Sequence, residues 1–65
     1  MERWFVVTYV DEQGKETDDY ASSPTWYLAC ERARALLGTR FRSLSQELIS
    51  PPLTSKYLFR HGEKP

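Results

Sequence analysis

The sequence predicts a small α+β domain of order ββαββ, a four-stranded antiparallel sheet with one helix packed on one face. Three observations carry this. Residues 3–10 are a continuous β-branched and aromatic run closed by a polar cluster containing Gly14. Residues 24–37 place apolar side chains at helical spacing between a Ser-Pro start and Gly38. Two short stretches that fit strand alternation then flank Pro51-Pro52. A chain of 65 residues makes one such domain, read here as residues 1–61, with 62–65 as a flexible C-terminal tail.

The first strand has two largely apolar faces: Trp4, Val6, Thr8 and Val10 on one, Phe5, Val7 and Tyr9 on the other. That suits a central strand, or one with a core face and a partner face. Asp11-Glu12-Gln13-Gly14-Lys15 predicts a hairpin turn. Residues 15–21 return as a polar, acidic strand anchored by Tyr20, the composition of an exposed edge. Ser23 is the expected N-cap, with Pro24 at the first helical position, where its missing N–H costs nothing.

The helix runs to Leu37, and Gly38 supplies the residue of positive φ that ends it. Trp26, Ala29, Cys30, Ala33, Leu36 and Leu37 form its apolar stripe, and its small residues allow a close approach to the sheet. Residues 39–49 fit two templates. Leu44 and Leu48, with Ser43 three before Gln46, would suit a short helix. Alternation from Phe41 to Leu48 suits a strand, and the strand is favoured because Pro51-Pro52 continues neither a helix nor a ladder. Residues 55–60 complete a second hairpin.

Composition limits the function classes. Hydrophobic residues are 40% and aromatics 14%, too rich for a disordered chain. No apolar run nears the roughly 20 residues of a membrane span. The opening Met-Glu-Arg-Trp-Phe lacks the basic region and small-residue cleavage site of a signal peptide. One cysteine, Cys30, rules out an internal disulfide and fits a reducing cytoplasm. Cys30 and His61 are the only soft ligands, far short of a structural zinc site, and no phosphate-binding glycine loop exists among three glycines. Cys30 reads as a small buried hydrophobe and His61 as a residue near the solvated tail. No catalytic site, cofactor or metal is expected.

Charge is unevenly spread. Residues 1–31 hold two basic and seven acidic side chains, and residues 32–65 hold seven basic and two acidic, so a formal net charge of zero hides halves of −5 and +5. Arg40, Arg42 and Arg60 alternate with Phe41, Tyr57 and Phe59 on the expected second hairpin. Such a surface can stack bases and hold phosphates, and it also has the composition of protein interfaces. Zero net charge favours protein over nucleic acid, because counterion release rewards a positive excess.

At the level of architecture alone, a tiny cysteine-poor ββαββ chain resembles the small accessory proteins of phages and mobile elements, some anti-CRISPR proteins among them. That resemblance implies a protein that inhibits a host or defence complex by occupying its surface. The expectation is therefore a non-catalytic protein-binding module contacting its partner through Arg40, Phe41, Arg42, Tyr57, Phe59 and Arg60. A small nucleic-acid-binding domain using the same hairpin is the alternative. Homodimerisation through the open sheet face is compatible with either.

Overall fold

A computed structural model describes residues 2–62, so residues 63–65 of the expected tail lie outside it. Its elements are β1 (Arg3–Val10), β2 (Glu16–Ser23), α1 (Trp26–Leu37), a short 3₁₀ turn (Gly38–Arg40) and β3 (Phe41–Leu44). The three strands form an antiparallel sheet in the order β2-β1-β3, with α1 packed on one face. Among the described residues, no helix is long and apolar enough to cross a membrane.

β1 is central, as its two apolar faces suggested. It pairs with β2 without a break from Arg3↔Ser23 to Val10↔Glu16. The turn is built by Asp11, whose Oδ1 accepts the amides of Gln13 and Lys15, both at 2.9 Å. Gly14 sits at φ +82°, a conformation that side-chain-bearing residues rarely adopt.

β2 extends two residues further than expected. Its buried end is Ala21, Ser22 and Ser23, while Tyr20 is only half-buried. Ser23 is therefore ladder, not N-cap. The cap is Thr25, with extended backbone and an Oγ1 that accepts the amide of Leu28 at 3.1 Å. The nearby Ser22 hydroxyl is already engaged, donating to Glu2 and accepting the His61 amide.

Alternation along β1 separates two layers. Phe5 and Val7 turn towards α1 and join Ala21, Ala29, Ala33, Leu37 and Phe59 in the core, with Tyr9, Phe41, Leu44 and Leu58 around it. The helix approaches through Ala29, Cys30, Ala33 and Leu37. Leu36 is half-exposed, and so is Trp26, which departs from its expected place on the buried stripe. Gly38 closes the helix at φ +57°, its N–H donating to the carbonyl of Arg34.

The strand reading of residues 41–48 holds for β3, which pairs with β1 through Val7↔Leu44, Thr8↔Ser43 and Tyr9↔Phe41 across a bulge. Beyond it, the amides of Ser45 and Leu48 still donate to the Val6 and Trp4 carbonyls, at 2.9 and 2.8 Å. The second hairpin does not form, and a fourth antiparallel strand is not seen among the described residues. The chain instead carries Tyr57 to the face opposite the helix, edge-on against Trp4 with ring centroids 6.1 Å apart. It then reaches the outer edge of β2, where Ala21↔Phe59 is a single parallel bridge held by Leu58 N–H to Tyr20 O and Ser22 N–H to Phe59 O. The side-chain contacts explain the route. Phe59 fills the space left by Ala21, Ala29 and Ala33, and the Tyr57 and Arg60 side chains lie against Trp4, which is only 7% exposed.

Candidate functional site

The six residues singled out on the expected hairpin fall into separate groups. Arg40, Phe41 and Arg42 stand at the β3 edge, whereas Tyr57, Phe59 and Arg60 belong to the segment at the opposite edge of the sheet. Phe59 is 4% exposed and part of the core, under the Arg32 guanidinium at 4.8 Å from the ring centroid. Phe41 packs against the core beneath Arg34, at 5.4 Å. Tyr57 and Arg60 both cover Trp4. The aromatics expected to face a partner thus act mainly inside the fold.

The arginines are also occupied within the molecule. Arg60 Nε donates to Glu2 Oε2 at 3.0 Å, and Arg3 meets Glu47 at 3.7 Å. Arg32 donates to the Arg60 carbonyl, and Arg42 to those of Thr39 and Phe41. Arg40 lines a shallow groove with Tyr9, Asp11, Glu12 and Gln13, which brings a base of the second half beside the acidic turn of the first. Folding therefore interleaves the two charged halves.

The residues weighed for chemistry have structural duties. Burial pushes the Cys30 thiol above its ordinary range, opposed weakly by Arg34, which disfavours the nucleophilic thiolate. His61 lines an open groove with Ser22, Ser23, Leu28, Glu31 and Arg32. The Arg60 hydrogen bond, with help from Ser22 and against burial, holds the Glu2 carboxyl below its usual value. Tyr9 is shifted up by burial and by the Asp19 carboxylate that accepts its hydroxyl at 2.8 Å. Among the described residues, no three His, Cys, Asp or Glu side chains are grouped to hold a metal ion.

Exposed large apolar side chains lie on the first turn of α1, at Leu36 and on the loop that follows β3. Trp26, Tyr27 and Leu28 are consecutive in the first turn of α1 and all exposed, Tyr27 at 65%. Trp26 Nε1 donates to the Ser45 carbonyl at 3.2 Å, tying this turn to the segment that follows β3. That segment runs on past Leu48, opposite Trp4 near the start of β1, to Ile49 and Leu53, both fully exposed. Sequence reasoning put Trp26 on the buried stripe of the helix and gave Tyr27, Leu28, Ile49 and Leu53 no part in a contact surface. The available signal was the uncharged stretch 48–55, Leu-Ile-Ser-Pro-Pro-Leu-Thr-Ser, in a chain that is 28% charged. No family model, curated protein or solved structure matches this chain.

Proposed function

We propose that this chain is a non-catalytic module that works by occupying the surface of a partner protein. The observation that carries the reading is the exposure of large apolar side chains, Trp26, Tyr27 and Leu28 on the first turn of α1 and Ile49 and Leu53 on the loop after β3. Large aromatics in such a position are the residue types that dominate binding energy at interfaces. Pro51 and Pro52 restrict the loop that carries Ile49 and Leu53, which lowers the entropy lost when it is held by a partner. Engagement of Arg3, Arg32, Arg42 and Arg60 within the fold supports protein over nucleic acid as the ligand.

The architectural resemblance to phage accessory proteins makes a host or defence complex the first class of partner to test, with inhibition as the mode of action. The experiment is affinity capture from the native host with wild type and with a Trp26→Ala, Ile49→Ser, Leu53→Ser variant shown to be folded. Wild type is expected to retain a specific protein that the variant loses, since truncating a central aromatic alone weakens binding by about 30-fold. Equal capture by both removes this surface from the reading. Retention of nucleic acid instead, with a steep loss as salt rises, favours the nucleic-acid alternative.

A further inference from the structure

We propose that the C-terminal arm, from Tyr57 onwards, exchanges between two copies of this chain, so that each arm closes the sheet of the other copy. This goes beyond the protein-binding reading and makes no use of Trp26, Tyr27 and Leu28. Exchange of an identical element trades identical contacts, so the hinge before it decides the balance.

The arm is held by contacts that a second copy can supply one for one. Tyr57 stands edge-on to Trp4, Phe59 enters the space among Ala21, Ala29 and Ala33, and Arg60 pairs with Glu2. The Leu58 amide donates to the Tyr20 carbonyl, the Ser22 amide to the Phe59 carbonyl, and the His61 amide to the Ser22 hydroxyl. All these partners lie on residues 2–33, far from the arm along the chain.

The hinge can straighten at little cost. Leu53, Thr54, Ser55 and Lys56 are all exposed. Their bend carries a bond of its own making, from the Lys56 amide to the Thr54 hydroxyl at 3.1 Å. At an exposed site such a bond is readily replaced by water. Pro51 and Pro52, just ahead of the bend, favour extended backbone.

Straightening also brings a gain that the single chain lacks. Leu53 in the hinge and Ile49 ahead of it are fully exposed. In a two-fold exchanged dimer the two hinges pass each other in opposite directions, so Leu53 of one copy packs on the hinge of the other and leaves water. A formal net charge of zero adds no long-range repulsion between the copies.

The experiment refolds the full chain from urea at high concentration and reads its mass by sedimentation and native mass spectrometry. Wild type is expected to form a dimer that returns to monomer slowly on dilution, because each arm must first leave its site. Leu53→Ser is expected to weaken the dimer about tenfold, while the urea midpoint of the monomer stays unchanged. Trp26→Ala is expected to leave the dimer intact, which separates partner capture from arm exchange.

A mixture tests the exchange itself. Glu2→Arg and Arg60→Glu each place like charges at the clasp of their own monomer and homodimer. Only an exchanged heterodimer pairs opposite charges at both clasps. After refolding together, heterodimer is expected to be favoured about fivefold relative to random pairing, and the excess to fade in high salt. Wild type that stays monomeric at high concentration overturns the proposal. So does a dimer whose two variants pair at random, because the copies then dock without exchanging arms. A dimer unaffected by Leu53→Ser lacks the hinge contact that drives exchange and overturns it as well.

Discussion

The β1–β2 hairpin and the C-terminal segment of residues 45–62 attach to the same sheet by different physics. The hairpin is local: eight register pairs, one Asp-Gly turn and a central strand with two apolar faces specify it within about twenty residues of chain. The C-terminal segment holds by a few scattered main-chain bonds and three side-chain anchors: Tyr57 on Trp4, Phe59 in the core, and Arg60 on Glu2. A ladder spreads its stability over many equivalent bonds, while an anchored segment concentrates it in a few side chains. Single substitutions in the segment should therefore have unequal, local effects, largest at Phe59, whereas one in the turn should act on the whole ladder together.

The largest expected effect is Phe59→Ala. Removing a buried Phe ring commonly costs about 3–5 kcal/mol, and this ring is the fully buried contribution of the C-terminal segment to the helix-side core, with Leu58 only partly buried beside it. In a domain this small the loss should leave the native state barely populated at 25 °C, measured by urea unfolding. A cost under about 1 kcal/mol would mean that the core closes without the segment.

The same contrast explains what was legible in the sequence. The central place of β1, the turn at Asp11–Lys15, the interior of α1 and the Gly38 stop all depend on neighbours a few residues away, and each followed from spacing and turn chemistry. The route of residues 50–60 did not. Its destination is a gap among Ala21, Ala29 and Ala33, which come together only after the helix has docked on the sheet. The cap was missed for a related reason. Ser23 and Thr25 have equal chemistry for it, and the choice follows from how far β2 runs, with Ser22 held by Glu2 and His61 from opposite ends of the chain. The expected contact residues were grouped by an assumed hairpin, so they separated when the two stretches went to opposite edges. The exposure of Trp26 was hidden because an exposed Trp and a buried one have the same helical spacing.

Tyr57→Ala tests the second anchor and should cost less, about 1–2 kcal/mol, because the ring is only half-buried and an edge-on aromatic pair adds about 0.5–1.5 kcal/mol to its area burial. Its distinguishing readout is local. Trp4 emission should shift to the red as water reaches the indole, while Trp26, already half-exposed, changes little. Equal shifts of both tryptophans would indicate general loosening instead of loss of one anchor.

In the turn, Gly14→Ala should cost about 1–2 kcal/mol, since φ is +82° but no atom lies within 4 Å of an added Cβ. The penalty is backbone conformation alone. Amide exchange along β1 and β2 should remain ordered as in wild type, with all protection factors reduced together. Selective loss of protection near Val10 and Glu16 would show that the ladder depends on its turn more than the many-bond picture allows.

The smallest effect is the third anchor, and it carries a pH signature. The Arg60 hydrogen bond depresses the Glu2 carboxyl in the folded state, so the folded protein holds this proton less readily than the unfolded chain. The contribution is present above the unfolded carboxylate value, near 4.5, and is lost as pH falls through the lower folded value. With Arg60 half-exposed, the pair should be worth under about 1 kcal/mol. Wild type should therefore lose slightly more stability than Glu2→Gln between neutral pH and the range below 4.5, and the difference should shrink in high salt. The assay is paired urea titrations across that range, read at Trp4, whose ring lies under Arg60. Parallel pH profiles for the two proteins would mean that the clasp between Glu2 and Arg60 is geometric only, leaving Phe59 and Tyr57 to hold the C-terminal segment to the sheet.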